Sequence, residues 1–104
     1  MPDKPLPPGV IAADGTGTIS WRPDSRQNWS VSQVTTRASG VGSGAVCELR
    51  KSGNRITLMI PTGDTAGGDP PVGQSSSETM DVHWTGATAG AAIEVTTIIY
   101  DIVG

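Results

Sequence analysis

Thr79-Met-Asp-Val-His-Trp-Thr-Gly-Ala-Thr-Ala-Gly-Ala-Ala-Ile-Glu-Val-Thr-Thr-Ile-Ile-Tyr-Asp-Ile102 reads as two β-strands around one Gly-bounded loop, a hairpin on which the rest of the chain leans. In its first half Met80, Val82 and Trp84 alternate with Thr79, Asp81, His83 and Thr85, the period-2 pattern of a strand with one buried face. In its second half apolar residues fall on both faces, with Ile93, Val95 and Ile99 on one and Ile98, Tyr100 and Ile102 on the other. A strand apolar on both sides is covered on both sides, by a second sheet or by another chain.

Working outward, Ala45 to Lys51 alternates cleanly, with Ala45, Cys47 and Leu49 inward and Val46, Glu48 and Arg50 outward. Ser52-Gly53-Asn54 then turns the chain, and Ile56, Leu58 and Ile60 return as the partner strand of a second hairpin. Further back, Gly15 to Arg22 and Trp29 to Ala38 are strand candidates. Trp29 and Val31 share a face but Val34 is out of phase, and a one-residue bulge near Ser32 or Gln33 returns it to the core. Pro61 to Ser77 is a long loop of Gly, Pro, Asp and Ser, with a short strand at most around Val72; loops of that length often carry an interaction. Fourteen Gly, eight Pro and no stretch of helical spacing fit an antiparallel β-sandwich of jelly-roll or immunoglobulin-like type, with a small barrel as the alternative.

Two units are expected, an extended arm over residues 1–14 and a β-sandwich over residues 15–104. Pro2, Pro5, Pro7 and Pro8 lack backbone N–H groups and fix φ, so the arm is polyproline-like and suited to lie over a neighbouring subunit. Its first residues lack the apolar core of a signal peptide, so synthesis in the cytoplasm is expected.

Composition removes several classes of function. A net charge of −3, with seven scattered Lys and Arg, speaks against a nucleic-acid partner. No run approaches 18 apolar residues, so no membrane partner is expected. The single Cys47 closes no intrachain disulfide and falls on an inward face. His83 lies opposite Met80, Val82 and Trp84, and a strand spacing of about 7 Å keeps Asp81 from orienting it. Asp64 and Asp69 supply too few carboxylates for a calcium loop of recognised pattern. Glu48, Glu78 and Glu94 read as outward polar positions, not a glycosidase pair. No catalytic residue, metal site or cofactor is therefore expected. Trp21, Trp29 and Trp84 are in phase with Ile19, Val31 and Val82, which places them in the core; exposed, they would form a sugar-stacking platform.

Three stretches carry a resemblance: Gly15-Thr-Gly-Thr-Ile-Ser20 leading into Asn28-Trp-Ser-Val31, the hairpin Cys47-Glu-Leu-Arg-Lys-Ser-Gly-Asn54, and Val82-His-Trp-Thr-Gly-Ala-Thr-Ala-Gly-Ala91. In this order the chain resembles small β-sandwich virion proteins of tailed bacteriophages, especially those infecting actinobacteria. The resemblance implies a structural role on the particle, as a capsid decoration (cement) protein, a head-fibre base or a minor tail component. It implies the major capsid protein as partner, a homo-oligomer, and a location on the capsid surface. The residues expected to bind are Pro2, Pro5, Leu6, Pro7, Pro8 and Val10 of the arm and Ile98, Tyr100 and Ile102 of the last strand. The alternative expectation is a carbohydrate- or receptor-binding accessory module of a phage tail or head fibre, with a host-surface glycan as partner.

Overall fold

The computed structural model describes residues 6–103, and the backbone alone for residues 68–70. Eight strands run in the order β1 (Gly9–Val10), β2 (Gly17–Trp21), β3 (Trp29–Ser39), β4 (Val46–Lys51), β5 (Asn54–Met59), β6 (Gly63–Gln74), β7 (Met80–Thr85) and β8 (Ala92–Ile102). They form two four-stranded antiparallel sheets, β1-β8-β3-β6 and β2-β7-β4-β5. Two stacked sheets in this order make a jelly roll; the small barrel does not form.

Among the described residues only β4 and β5, neighbours in one sheet, are joined by a hairpin; each other connection crosses between sheets. The expected hairpin of β7 and β8 is therefore corrected, because the two strands belong to opposite sheets. The Gly86–Ala91 segment between them is a crossing loop. Its Ala87, Thr88 and Gly90 N–H groups donate to the carbonyls of Gly15, Val41 and Ile11. Gly86 has φ +62, and a Cβ there would meet the Gly44 carbonyl oxygen at 3.0 Å, so a side chain is excluded on both counts.

The core lies between the sheets. Ile19 and Trp21 of β2, Cys47 and Leu49 of β4 and Met80, Val82 and Trp84 of β7 meet Trp29, Val31 and Val34 of β3 and the inner face of β8. The expected bulge in β3 is present. Val31 pairs with Tyr100 and Gln33 with Ile99, which leaves Ser32 as the extra residue and keeps Val31 and Val34 on the same buried side.

A second bulge corrects the two-faced reading of β8. Thr35 pairs with Thr97 and Thr36 with Val95, so Thr96 is extra, and the side chains change phase there. Ile93, Val95, Ile98 and Tyr100 all point inward and are buried, while Ile102 is exposed at the strand end. The opposite sheet covers the one apolar face, and no second cover is required by the strand itself. The two bulges cancel, since the pairing offset introduced at Ser32 is removed at Thr96. In each, the hydroxyl of the extra residue donates across the ladder, Ser32 to the Ile99 carbonyl at 3.2 Å and Thr96 to the Thr35 carbonyl at 3.3 Å.

The expected hairpin of β4 and β5 is present, with a register shift of its own. A two-residue turn with positive φ at Ser52 and Gly53 sets Lys51 opposite Asn54 and Arg50 opposite Arg55. Regular continuation would put Ile56 and Leu58 inward, opposite Leu49 and Cys47. Instead the register shifts at Ile56, and Thr57 and Met59 take those places. Met59 is buried, whereas Ile56, Leu58 and Ile60 are exposed.

The segment expected to be a long loop contains the twelve-residue edge strand β6. It pairs with β3 in two short runs, on either side of an offset between Gly67 and Val72. Pro70 and Pro71 fall in that offset, where their missing N–H groups cost no ladder bond.

Candidate interaction surfaces

The leading segment joins the sandwich earlier than residue 14. Gly9 pairs with Ile93 and Val10 with Ala92, so β1 is a two-residue edge strand on β8. Ile11 is buried in the core, and its N–H donates to the Ala91 carbonyl at 2.9 Å. Leu6 packs partly against the core, and Pro7, Pro8 and Val10 are exposed, Val10 by 66 %. Pro8 forms one wall of a crease of about 340 Å³ that runs over Ala38, Ser39 and Ala92 to Arg37 and Glu94. Those last two form an ion pair at 2.9 Å. Pro2 and Pro5 lie outside the described residues.

Of the last-strand residues expected to bind, Ile98 and Tyr100 are in the core and are corrected accordingly; Ile102, 51 % exposed, is at the surface. Tyr100 stacks on Trp29. Of the three β8 residues expected to bind, only Ile102, at the end of the strand, is at the surface.

A second concavity of about 410 Å³ opens where the sheets part between their edge strands β5 and β6. Val31, Val34, Leu49 and Met80 form its floor, and Ile56, Leu58, Asp64 and Thr65 its rim. Asp64 is committed to structure. Its carboxylate accepts the N–H of Ile60 at 3.0 Å and of Thr65 at 2.8 Å, tying the end of β5 to β6 across the gap between sheets. The side chain of Asp69 lies outside the described residues.

The outer face of β2-β7-β4-β5 divides in two. On the β2 side His83 Nδ1 shares a hydrogen bond of 2.7 Å with the Thr18 hydroxyl, and Arg50 grips Asp81 in a two-pronged pair at 2.8 and 3.0 Å. That carboxylate bond holds the Arg50 guanidinium above its usual pKa. On the β5 side Val46, Leu58 and Ile60 are all exposed. Sequence reading missed this surface because simple alternation puts Ile56 and Leu58 inside.

Chemically reactive groups are not gathered in either concavity. Burial, then the charges of Asp64 and Glu48, push the Cys47 thiol up to about 12, which leaves it protonated and inert. Among the described residues no three His, Cys, Asp or Glu side chains converge as metal ligands. Trp21, Trp29 and Trp84 are all buried, so the three-indole sugar platform is not on the surface.

No protein family matches the chain, and no curated protein matches it. Among solved structures, the chain is similar to part of the insecticidal delta-endotoxin Cry8Ea1 from Bacillus thuringiensis, with 13% identity and a TM-score of 0.48. It is also similar to part of dimeric latent PorU from Porphyromonas gingivalis, with 16% identity and a TM-score of 0.41. The matches cover 93% and 90% of this chain but only 20% and 10% of those chains. At these scores the likenesses carry no functional argument.

Proposed function

We propose that the protein is a non-enzymatic structural component of a phage virion, a capsid decoration protein that binds the major capsid protein and stabilises the shell as a homo-oligomer. On this reading it is made in the host cytoplasm and sits on the capsid surface. The observation that carries it is the anchored leader. Gly9 and Val10 are held in a sheet edge, Ile11 is locked in the core, and Pro7, Pro8 and Val10 stand exposed ahead of it. A proline-stiffened segment on a fixed base loses little conformational freedom when it lies along another subunit. The sequence resemblance supports the same reading. So does the commitment of His83, Asp81 and Cys47 to internal partners or to burial, which brings no nucleophile, base and orienter together among the described residues. The jelly roll hosts viral capsid domains and lectins alike, so the fold is compatible with the proposal without selecting it.

The test is binding to purified phage particles stripped of decoration. Deletion of residues 1–8 removes the leader while keeping Ile11 and the β1 pairing, and Val10→Asp charges the exposed edge. Both variants are expected to fold and to lose particle binding. Binding equal to that of the intact chain by both variants overturns the assignment of the leader.

A further inference from the structure

We propose that β5 is the self-association surface of this protein, pairing edge to edge and antiparallel with β5 of a second copy about a twofold axis at Leu58. The proposal does not rest on the virion reading; it concerns what this edge does in solution.

Sheet edges offer unpaired N–H and C=O groups, and proteins that remain monomeric blunt them with prolines, charges or very short strands. Two of the four edges among the described residues are blunted: β1 has two residues and follows Pro7-Pro8, and β6 is broken around Pro70-Pro71. The β2 edge is five residues long and its outer face, Thr18 and Ser20, offers no apolar surface to a partner. β5 starts with Arg55 and carries a bulge at Ile56, but from there to Pro61 the run Ile56-Thr-Leu-Met-Ile60 is uncharged, free of Pro and Gly, and strongly β-forming.

The exposed side chains on this edge are those a partner strand would cover. Ile56 is 40 %, Leu58 56 % and Ile60 58 % exposed, and Val46 of the adjacent strand is 48 % exposed. Together they form an apolar area on the order of 350 Å² on an otherwise polar face. The register shift at Ile56 turns Leu58 outward and sets Thr57, itself exposed, opposite Leu49, while Met59 fills the buried place opposite Cys47.

The backbone is oriented for the same purpose. The Ile60 N–H goes to Asp64 and its carbonyl accepts the Gly63 N–H, so both point away from β4. Two residues back along the pleat, the Leu58 N–H and C=O share that direction. The only side-chain group on that carbonyl among the described residues is the Thr57 hydroxyl at 3.3 Å.

Self-pairing then follows from symmetry. Antiparallel pairing at Leu58 sets Leu58 against its own copy, Ile56 against Ile60 and Thr57 against Met59, with no like charges opposed. It also brings Arg55, at one end of each strand, toward the turn carrying Asp64 at the other end of its partner; parallel pairing would bring like charges together. The result is one continuous eight-stranded sheet. Two patches with the β5 backbone bury about 1,000 Å², the lower bound for a specific association, so a weak dimer is expected.

The experiment is sedimentation equilibrium of the full chain from micromolar to millimolar concentration, with Leu58→Lys and Leu58→Glu. Wild type is expected to move from 10.7 kDa to twice that mass. Each variant alone should stay monomeric, with association weakened at least tenfold and a thermal melt close to wild type. An equimolar mixture of the two should regain the dimer, because only pairing of Leu58 with Leu58 puts Lys against Glu. Ile56→Glu and Ile60→Lys, which meet each other across the same axis, replace the pair if either Leu58 variant does not fold. A monomeric wild type at millimolar concentration, a dimer indifferent to these substitutions, or a mixture that stays monomeric overturns the proposal. None of these outcomes affects the capsid-binding test of the leader.

Discussion

Trp29 and Tyr100 stack face to face across neighbouring strands, with ring centroids 3.7 Å apart and planes 15° from parallel. The contact lies at one end of β3 and β8, and Trp29 also donates its indole N–H to Gln27 Oε1 at 2.9 Å. It explains why Tyr100 turns inward, and it makes the last strand a wall of the core.

Replacing Trp29 by Ala is expected to cost about 3–5 kcal/mol, as for other fully buried large aromatics. Tyr100→Ala should cost a comparable amount. A double-mutant cycle with Trp29→Leu and Tyr100→Leu should isolate about 0.5–1.5 kcal/mol of stacking. Urea unfolding measures each term, and a coupling of zero would mean that the rings are merely adjacent.

The β4–β5 turn has positive φ at both central residues, 51° at Ser52 and 80° at Gly53. Asn tolerates this region better than Ser. Ser52→Asn should therefore raise stability by a few tenths of a kcal/mol, and Gly53→Ala should lower it by about 1 kcal/mol. Thermal melting of the two variants should move in opposite directions.

Cys47 should resist thiol reagents while the protein is folded. Its burial and its pKa of about 12 leave almost no thiolate at pH 8. Labelling by a disulfide reagent is expected to follow global unfolding, so its rate should rise with urea. A fast urea-independent reaction would show that the strand opens locally.

Glu78 supplies a pH dependence. The Ser75 backbone N–H bonds to it at 2.8 Å, Lys51 lies 3.5 Å away, and its carboxyl titrates below the ordinary range. A carboxylate with a depressed folded-state pKa stabilises above its unfolded value and loses that contribution as pH falls through the folded one. Glu78→Gln should therefore be less stable than wild type near neutrality. The gap should close as acid protonates Glu78, and a constant gap from neutral to acid pH would exclude this origin.

Much of the fold was legible where alternation is unbroken. Met80, Val82 and Trp84, the Cys47–Leu49 strand and the bulge at Ser32 all lie where period-2 reasoning puts them. Errors arose where alternation alone does not decide. Ile98-Ile99 permits either phase after Val95, and only the extra residue at Thr96 settles it. Ile56, Leu58 and Ile60 read as the partner strand of a hairpin, but which face they take is decided only by the register shift in β5. β6 was hidden because Gly and Pro mask a strand that is held by its neighbour's ladder, not by its own side chains. In the leading segment, the burial of Ile11 is not visible beside so many prolines. Of the proposed dimer edge, the run Ile56-Thr-Leu-Met-Ile60 was in plain view, and its direction was not.

The cancelling bulges at Ser32 and Thr96 bear on which changes of chain length this sheet can absorb. Removing one residue at either position straightens the strand and leaves each inward side chain on its side, because the lost residue is the one without a partner. Removing one residue from β7, between Met80 and Trp84, turns everything beyond it inside out. Single-residue gaps among natural variants of this chain should therefore gather at the two hydroxyl-bearing bulges and avoid the strand that faces them across the core.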